Sequence, residues 1–103
     1  MARLQRYASI SVALRAGRRY NMKFYFTYVL RSDNDKNLYI GWTDNLKKRL
    51  EKHKKGLVNS TKIRRPLKLI YFEGCLDKKK AILREKQLKT GFGRAYLKRR
   101  IVF

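Results

Sequence analysis

The chain has 103 residues, 28 of them Lys or Arg against 7 Asp or Glu, for a formal net charge of +21. Such a length holds one domain that buries only about 60–65% of its unfolded surface, which excludes two folded units, while the charge far exceeds what solubility needs and makes nucleic acid the expected partner. No apolar run approaches the roughly 18–20 residues of a membrane span, and the lone Cys75 excludes an internal disulfide or a cysteine-based zinc cluster, so a cytoplasmic protein without membrane attachment is expected.

Residues 1–21 carry Arg3, Arg6, Arg15, Arg18 and Arg19 and no acid. Arg15 interrupts Tyr7 to Leu14, the one stretch apolar enough to pass for a signal-peptide region. The segment reads as a disordered basic extension, and three origins stay open: a plain arm, an organellar transit segment, or an upstream extension before a natural start at Met22. Taking its five arginines from +21 leaves +16 on residues 22–103, so the basic character belongs to the domain.

Phe24 to Leu30 is rich in aromatic and β-branched residues, Ser32 to Asn37 is turn chemistry, and Leu38 to Trp42 resumes strand character. The two runs predict a β-hairpin with Phe24, Phe26 and Tyr28 on one face and Tyr25, Thr27 and Val29 on the other. Thr43-Asp44-Asn45 opens a helix from Leu46 to Lys55, closed by Gly56. Helical spacing sets Arg49 and His53 beside the apolar stripe of Leu46 and Leu50, while Lys47, Lys48 and Lys52 look outward. An Arg beside a buried stripe is costly to desolvate unless it meets an anion. Pro66 ends the next connection and Leu67 to Phe72 reads as a third strand. Asp77 caps a second helix from Lys78 to Lys89, stopped at Gly91, and a short basic helix from Arg94 to Ile101 follows. Glu85 falls inside the arc of Ala81, Ile82 and Leu88, where an ionised carboxylate requires a cation, hydrogen-bond donors or a metal ion.

Thr27-Tyr28-Val29, ten residues, Tyr39-Ile40-Gly41, Arg49-x-x-x-His53, Thr61-x-x-Arg64-Arg65-Pro66 and Arg84-Glu85-Lys86-Gln87-Leu88-Lys89 follow one another in an order that resembles the GIY-YIG nuclease superfamily, in particular its small stand-alone, UvrC-amino-terminal-like and UPF0213-like members. The likeness covers nearly all of Met22 to Ile101. Two departures stand out: the first triplet keeps only its tyrosine, and no Asn follows Asn59, so the late asparagine of many members has no counterpart.

The resemblance implies an α+β fold, a three-stranded antiparallel sheet flanked by helices, and metal-dependent hydrolysis of DNA phosphodiesters. It implies that Glu85 holds Mg²⁺ or Mn²⁺, that Arg49 bridges phosphate oxygens, that Tyr28 positions or deprotonates the attacking water, and that Tyr39 and His53 complete a hydrogen-bond relay. For Tyr28 to act as a base its pKa must fall, and the cationic surroundings are expected to lower it. Gly41 is expected to let the nucleic acid approach closely, with Lys47, Lys48, Lys52, Arg64, Arg65 and Lys89 as phosphate contacts. The expected substrate is DNA, branched or single-stranded forms included, cut with structure selectivity or weak sequence specificity in repair or processing. A monomer or weak dimer without a small-molecule cofactor is expected. A non-catalytic basic nucleic-acid-binding module on the same fold is the alternative.

Overall fold

In the computed structural model, which describes residues 22–101, three strands form one antiparallel sheet: β1 (Tyr25–Ser32), β2 (Leu38–Thr43) and β3 (Leu67–Cys75), in the order β2-β1-β3. The basic extension assigned to residues 1–21 lies outside the described residues. β1 takes the centre because its apolar run can be covered on both faces: Thr27, Tyr28, Val29 and Leu30 are all buried. Tyr28 sits opposite Gly41 on one side and Phe72 on the other, and a bulge between Val29 and Leu30 shifts the register to β3. β3 continues to Cys75, past the expected end at Phe72, since pairing runs the length of β1.

The hairpin loop is held by Ser32, whose hydroxyl accepts from the backbone N–H of Asn34 and Asp35 and donates to the Arg64 carbonyl at 2.6 Å. Helix α1 (Leu46–Lys54) is capped by Asn45, whose side chain accepts from the Lys48 N–H. The chain leaves α1 through Gly56 at φ +76°, a left-handed conformation that suits glycine. Helix α2 (Lys78–Leu88) is capped by Asp77, accepting from the Lys79 N–H.

Gly91 is not the stop it looks like. Thr90 caps a helix α3 (Gly91–Arg100) that starts at once, its hydroxyl accepting from the Gly93 N–H. The glycine that matters is Gly93, where a Cβ would lie 2.4 Å from the Gln87 carbonyl oxygen and 2.4 Å from Leu88 Cα. A missing side chain here lets α3 close onto the end of α2.

α2 and α3 cover the face of β1 that carries Thr27 and Val29. Val29, Ile40, Leu88 and Leu97 form the buried core, with Leu38, Ile70, Tyr71, Tyr96 and Ile101 around it, and the Thr27 hydroxyl donates to the Ala81 carbonyl at 2.9 Å. α1 lies against the opposite face, where Tyr28 points. The apolar core and the polar tyrosine cluster are thus divided by the sheet. Among the described residues no helix is long and apolar enough to cross a membrane.

Candidate active site

Tyr28 is fully buried, and β2 makes room for it with Gly41: a Cβ there would lie 2.7 Å from the Tyr28 hydroxyl oxygen. Gly41 therefore seats the tyrosine. From α1, His53 places Nε2 2.8 Å from the Tyr28 hydroxyl, and Arg49 Nε donates to the same oxygen at 3.4 Å. The other ring nitrogen of His53, Nδ1, stands 2.7 Å from the Thr61 hydroxyl oxygen, and that hydroxyl donates to the Val58 carbonyl at 3.5 Å. A carbonyl can only accept, so proton directions follow along the chain. Thr61 donates to Val58, His53 Nδ1–H donates to Thr61, and the bare Nε2 accepts the Tyr28 O–H. Tyr39 closes the cluster, its ring meeting His53 edge-on at 5.2 Å and lying 6.3 Å from the Tyr28 ring. Four of the expected site residues thus converge: Tyr28, Tyr39, Arg49 and His53.

The electrostatics overturn one expectation. Burial pushes the Tyr28 phenol up to about 12, against the opposing pull of the Arg49 hydrogen bond. The cationic field loses because the oxygen is desolvated before Arg49 can act on it. Burial, and then the charge of Arg49, hold His53 down at about 4. The Arg49 guanidinium is held charged by its bond to Tyr28. With the phenol pushed up and the imidazole held down, the shared proton stays on Tyr28 in the resting site. The pair is neutral, and Tyr28 serves as a fixed hydrogen-bonding post.

His53 is the sole histidine, so its titration is separable. Above pH 6.5 it is neutral in both folded and unfolded chains. Between 6.5 and about 4 only the unfolded chain takes the proton, so stability falls as the solution is acidified through this window and this contribution levels off below it. The loss is at most about 3 kcal/mol. Denaturant unfolding at pH 7 and pH 4.5 measures it, and His53→Gln is expected to remove most of the difference. An equal drop in the variant would contradict a buried neutral imidazole.

Glu85 stands apart from the four. It is carried by α2, on the other face of β1, with its side chain 19% exposed and its oxygen 3.5 Å from Lys89 Nζ, which is itself 54% exposed. An i,i+4 pair of this kind stabilises by only about 0.3–0.5 kcal/mol, so an incoming ion can displace the lysine. Lys89 also lines a groove of about 430 Å³ with Tyr39, Ile40, Arg94 and Lys98, which links the Glu85 side of α2 to the tyrosine cluster around the edge strand β2. Among the described residues no three His, Cys, Asp or Glu side chains gather. One accessible carboxylate suits Mg²⁺, which keeps several waters and binds through one or two carboxylates, better than Zn²⁺ or Ca²⁺, which want several protein ligands.

Of the expected phosphate contacts, Lys47, Lys48 and Lys52 are exposed along α1. Arg64 is engaged elsewhere: its guanidinium grips Asp35 at 2.6 and 3.3 Å and donates to the Leu38 carbonyl, pinning the hairpin loop and holding the Asp35 carboxyl at about 2. That ion pair engages Arg64 within the hairpin. Arg65 packs on Gly56 and donates to the carbonyls of Lys62 and Lys54, neutral partners that leave its charge free for phosphate. The contact of Thr61 with His53 is one that the sequence does not reveal. The place of Thr61 in the loop before Pro66 was visible, but nothing in the spacing shows a hydroxyl meeting His53 across eight positions.

A family model described as the GIY-YIG catalytic domain matches residues 24–99. Similar proteins include a UPF0213 protein of Clostridium perfringens, 42% identical over 65 residues that cover 62% of this chain and 69% of the relative. A UPF0213 protein of Pediococcus pentosaceus is 49% identical over 67 residues, 64% of this chain and 68% of the relative. One of Staphylococcus aureus is 37% identical over 70 residues, 67% and 84% of the two chains. No solved structure matches significantly.

Proposed function

We propose, for a chain that belongs to the GIY-YIG nuclease family and to its UPF0213 members, a divalent-metal-dependent DNA endonuclease that is structure-selective or weakly sequence-specific and serves DNA repair or processing. The observation that carries this reading is the convergence of Tyr28, His53 and Arg49 on one phenolic oxygen, at 2.8 and 3.4 Å. A tyrosine needs neither a buried imidazole nor a guanidinium for packing alone.

In the proposed reaction a water oxygen forms the new bond to phosphorus as the P–O3′ bond breaks, the water giving up a proton to solvent and the departing O3′ taking one from solvent, so that a 5′-phosphate and a 3′-hydroxyl result. Arg49, anchored by Nε on Tyr28, turns its terminal nitrogens to the phosphate, where the fork binds most strongly as negative charge builds. Tyr28, its proton on the His53 side, anchors Arg49 and so positions the phosphate for the attacking water. Tyr39 fixes the His53 ring. Glu85 would hold the ion, Mg²⁺ or Mn²⁺, which when bound neutralises charge on the leaving oxygen and the phosphate. Lys47, Lys48, Lys52, Arg65 and Lys89 supply phosphate contacts that position the strand.

The test is the nicking rate of a branched DNA against Mg²⁺ concentration. Wild type is expected to saturate, and Glu85→Gln to fall at least tenfold at any concentration reached. Rates indifferent to Mg²⁺, or equal in the two proteins, would leave only the basic binding module.

A further inference from the structure

α1 packs over the Tyr28 face of the sheet without covering all of it. On β3 the residues of the same face, Leu69 and Phe72, are 37% and 51% exposed. Between α1 and β3 runs a groove of about 750 Å³ lined by Leu30, Leu50, Leu67, Leu69 and, from the tyrosine cluster, His53. Its remaining lining includes the exposed cations Lys54, Lys62 and Arg65. Farther along β3, Phe72 stands directly opposite Tyr28 in the sheet and packs edge-on against Phe26 at 6.2 Å. Phe26 and Phe24 lie over Gly74, where a Cβ would come within 3.2 Å of the Phe26 ring. The glycine keeps this aromatic strip flat against the sheet.

An apolar strip bordered by cations on a chain of charge +21 fits a ligand that alternates flat apolar faces with anions. Unpaired nucleotides have that pattern, whereas a duplex hides its base faces in its own stack. An apolar peptide would match the strip but not its border. We propose that this groove and the Phe72 strip stack the unpaired bases of a DNA strand next to the Tyr28 cluster, making single-stranded segments the preferred substrate. The proposal rests on the nuclease reading for its biological use, but stacking can be measured without any cutting.

Full-length protein is titrated in EDTA, at several salt concentrations, with a fluorescent twelve-nucleotide oligothymidylate and with a duplex of equal length. The single strand is expected to bind more tightly at each salt concentration. Phe72→Ala is expected to weaken single-strand binding about tenfold while leaving duplex binding unchanged, since no charge is removed the salt slope stays the same, and Phe72→Trp is expected to restore it. Single-strand affinity unmoved by Phe72→Ala would overturn the proposal and point to another occupant, such as residues 1–21. Equal weakening toward both DNAs would overturn it as well. A protein that discriminates in this way yet never cuts would overturn the nuclease reading and leave the stacking groove in place.

Discussion

Replacing Arg49 with Ala is expected to lower metal-dependent nicking by about 10²–10³-fold, the usual loss when one donor aimed at a developing oxyanion is removed. Arg49 is half-buried beside Tyr28, bonded through Nε at 3.4 Å, so its terminal nitrogens are held in a fixed direction. Stability should change little, because the lost bond is long and part-exposed. Bulk DNA affinity should also hold, since one charge in an excess of +21 is removed. Arg49→Lys is expected to stay low, because an ammonium cannot hold Tyr28 and grip two phosphate oxygens together. Single-turnover nicking, beside anisotropy and circular dichroism on the same samples, separates the cases. A variant that nicks at the wild-type rate would remove Arg49 from the chemistry.

The second large effect is on stability. Gly93→Ala drives a methyl into backbone atoms of Gln87 and Leu88 at 2.4–2.6 Å, which no side-chain rotation relieves. A cost of about 3 kcal/mol is expected, less the roughly 1 kcal/mol that Ala gains over Gly in a helix. A net loss near 2 kcal/mol lowers Tm by about 8–16 °C in a domain of this size. Leu97 and Tyr96 on α3 belong to or border the core, so the loss is expected to be cooperative. Gly91, two residues earlier, has nothing within 4 Å of its missing side chain, and Gly91→Ala should be neutral or slightly stabilising. Thermal melts of the pair test the packing: equal effects would contradict it.

The elements and the face each residue shows were legible because aromatic and β-branched runs, caps and Gly56 act locally. Asn45, Asp77 and the stripe beside Arg49 and His53 all depend on neighbours within one turn. Long-range partners were not legible. Arg64 looked like its neighbour Arg65, yet Asp35, 29 positions away, takes its charge. Gly41 marked a close approach without showing that the Tyr28 ring lies against it. The direction of the Tyr28 shift failed for the same reason: net charge is read from composition, whereas desolvation depends on what the fold stacks over the oxygen. Gly91 was misplaced as a stop because a helix-ending glycine and a helix-packing glycine two residues on look alike until α3 is docked.

The most direct measurement is nicking of supercoiled plasmid with Mg²⁺ by wild type, Tyr28→Phe and Glu85→Gln, purified identically. Tyr28→Phe removes only the oxygen on which His53 and Arg49 converge, and Glu85→Gln only the charge. Nicking by wild type that collapses in both variants is the predicted result. The same residual nicking in all three proteins would contradict a phosphodiester-cutting site at these residues.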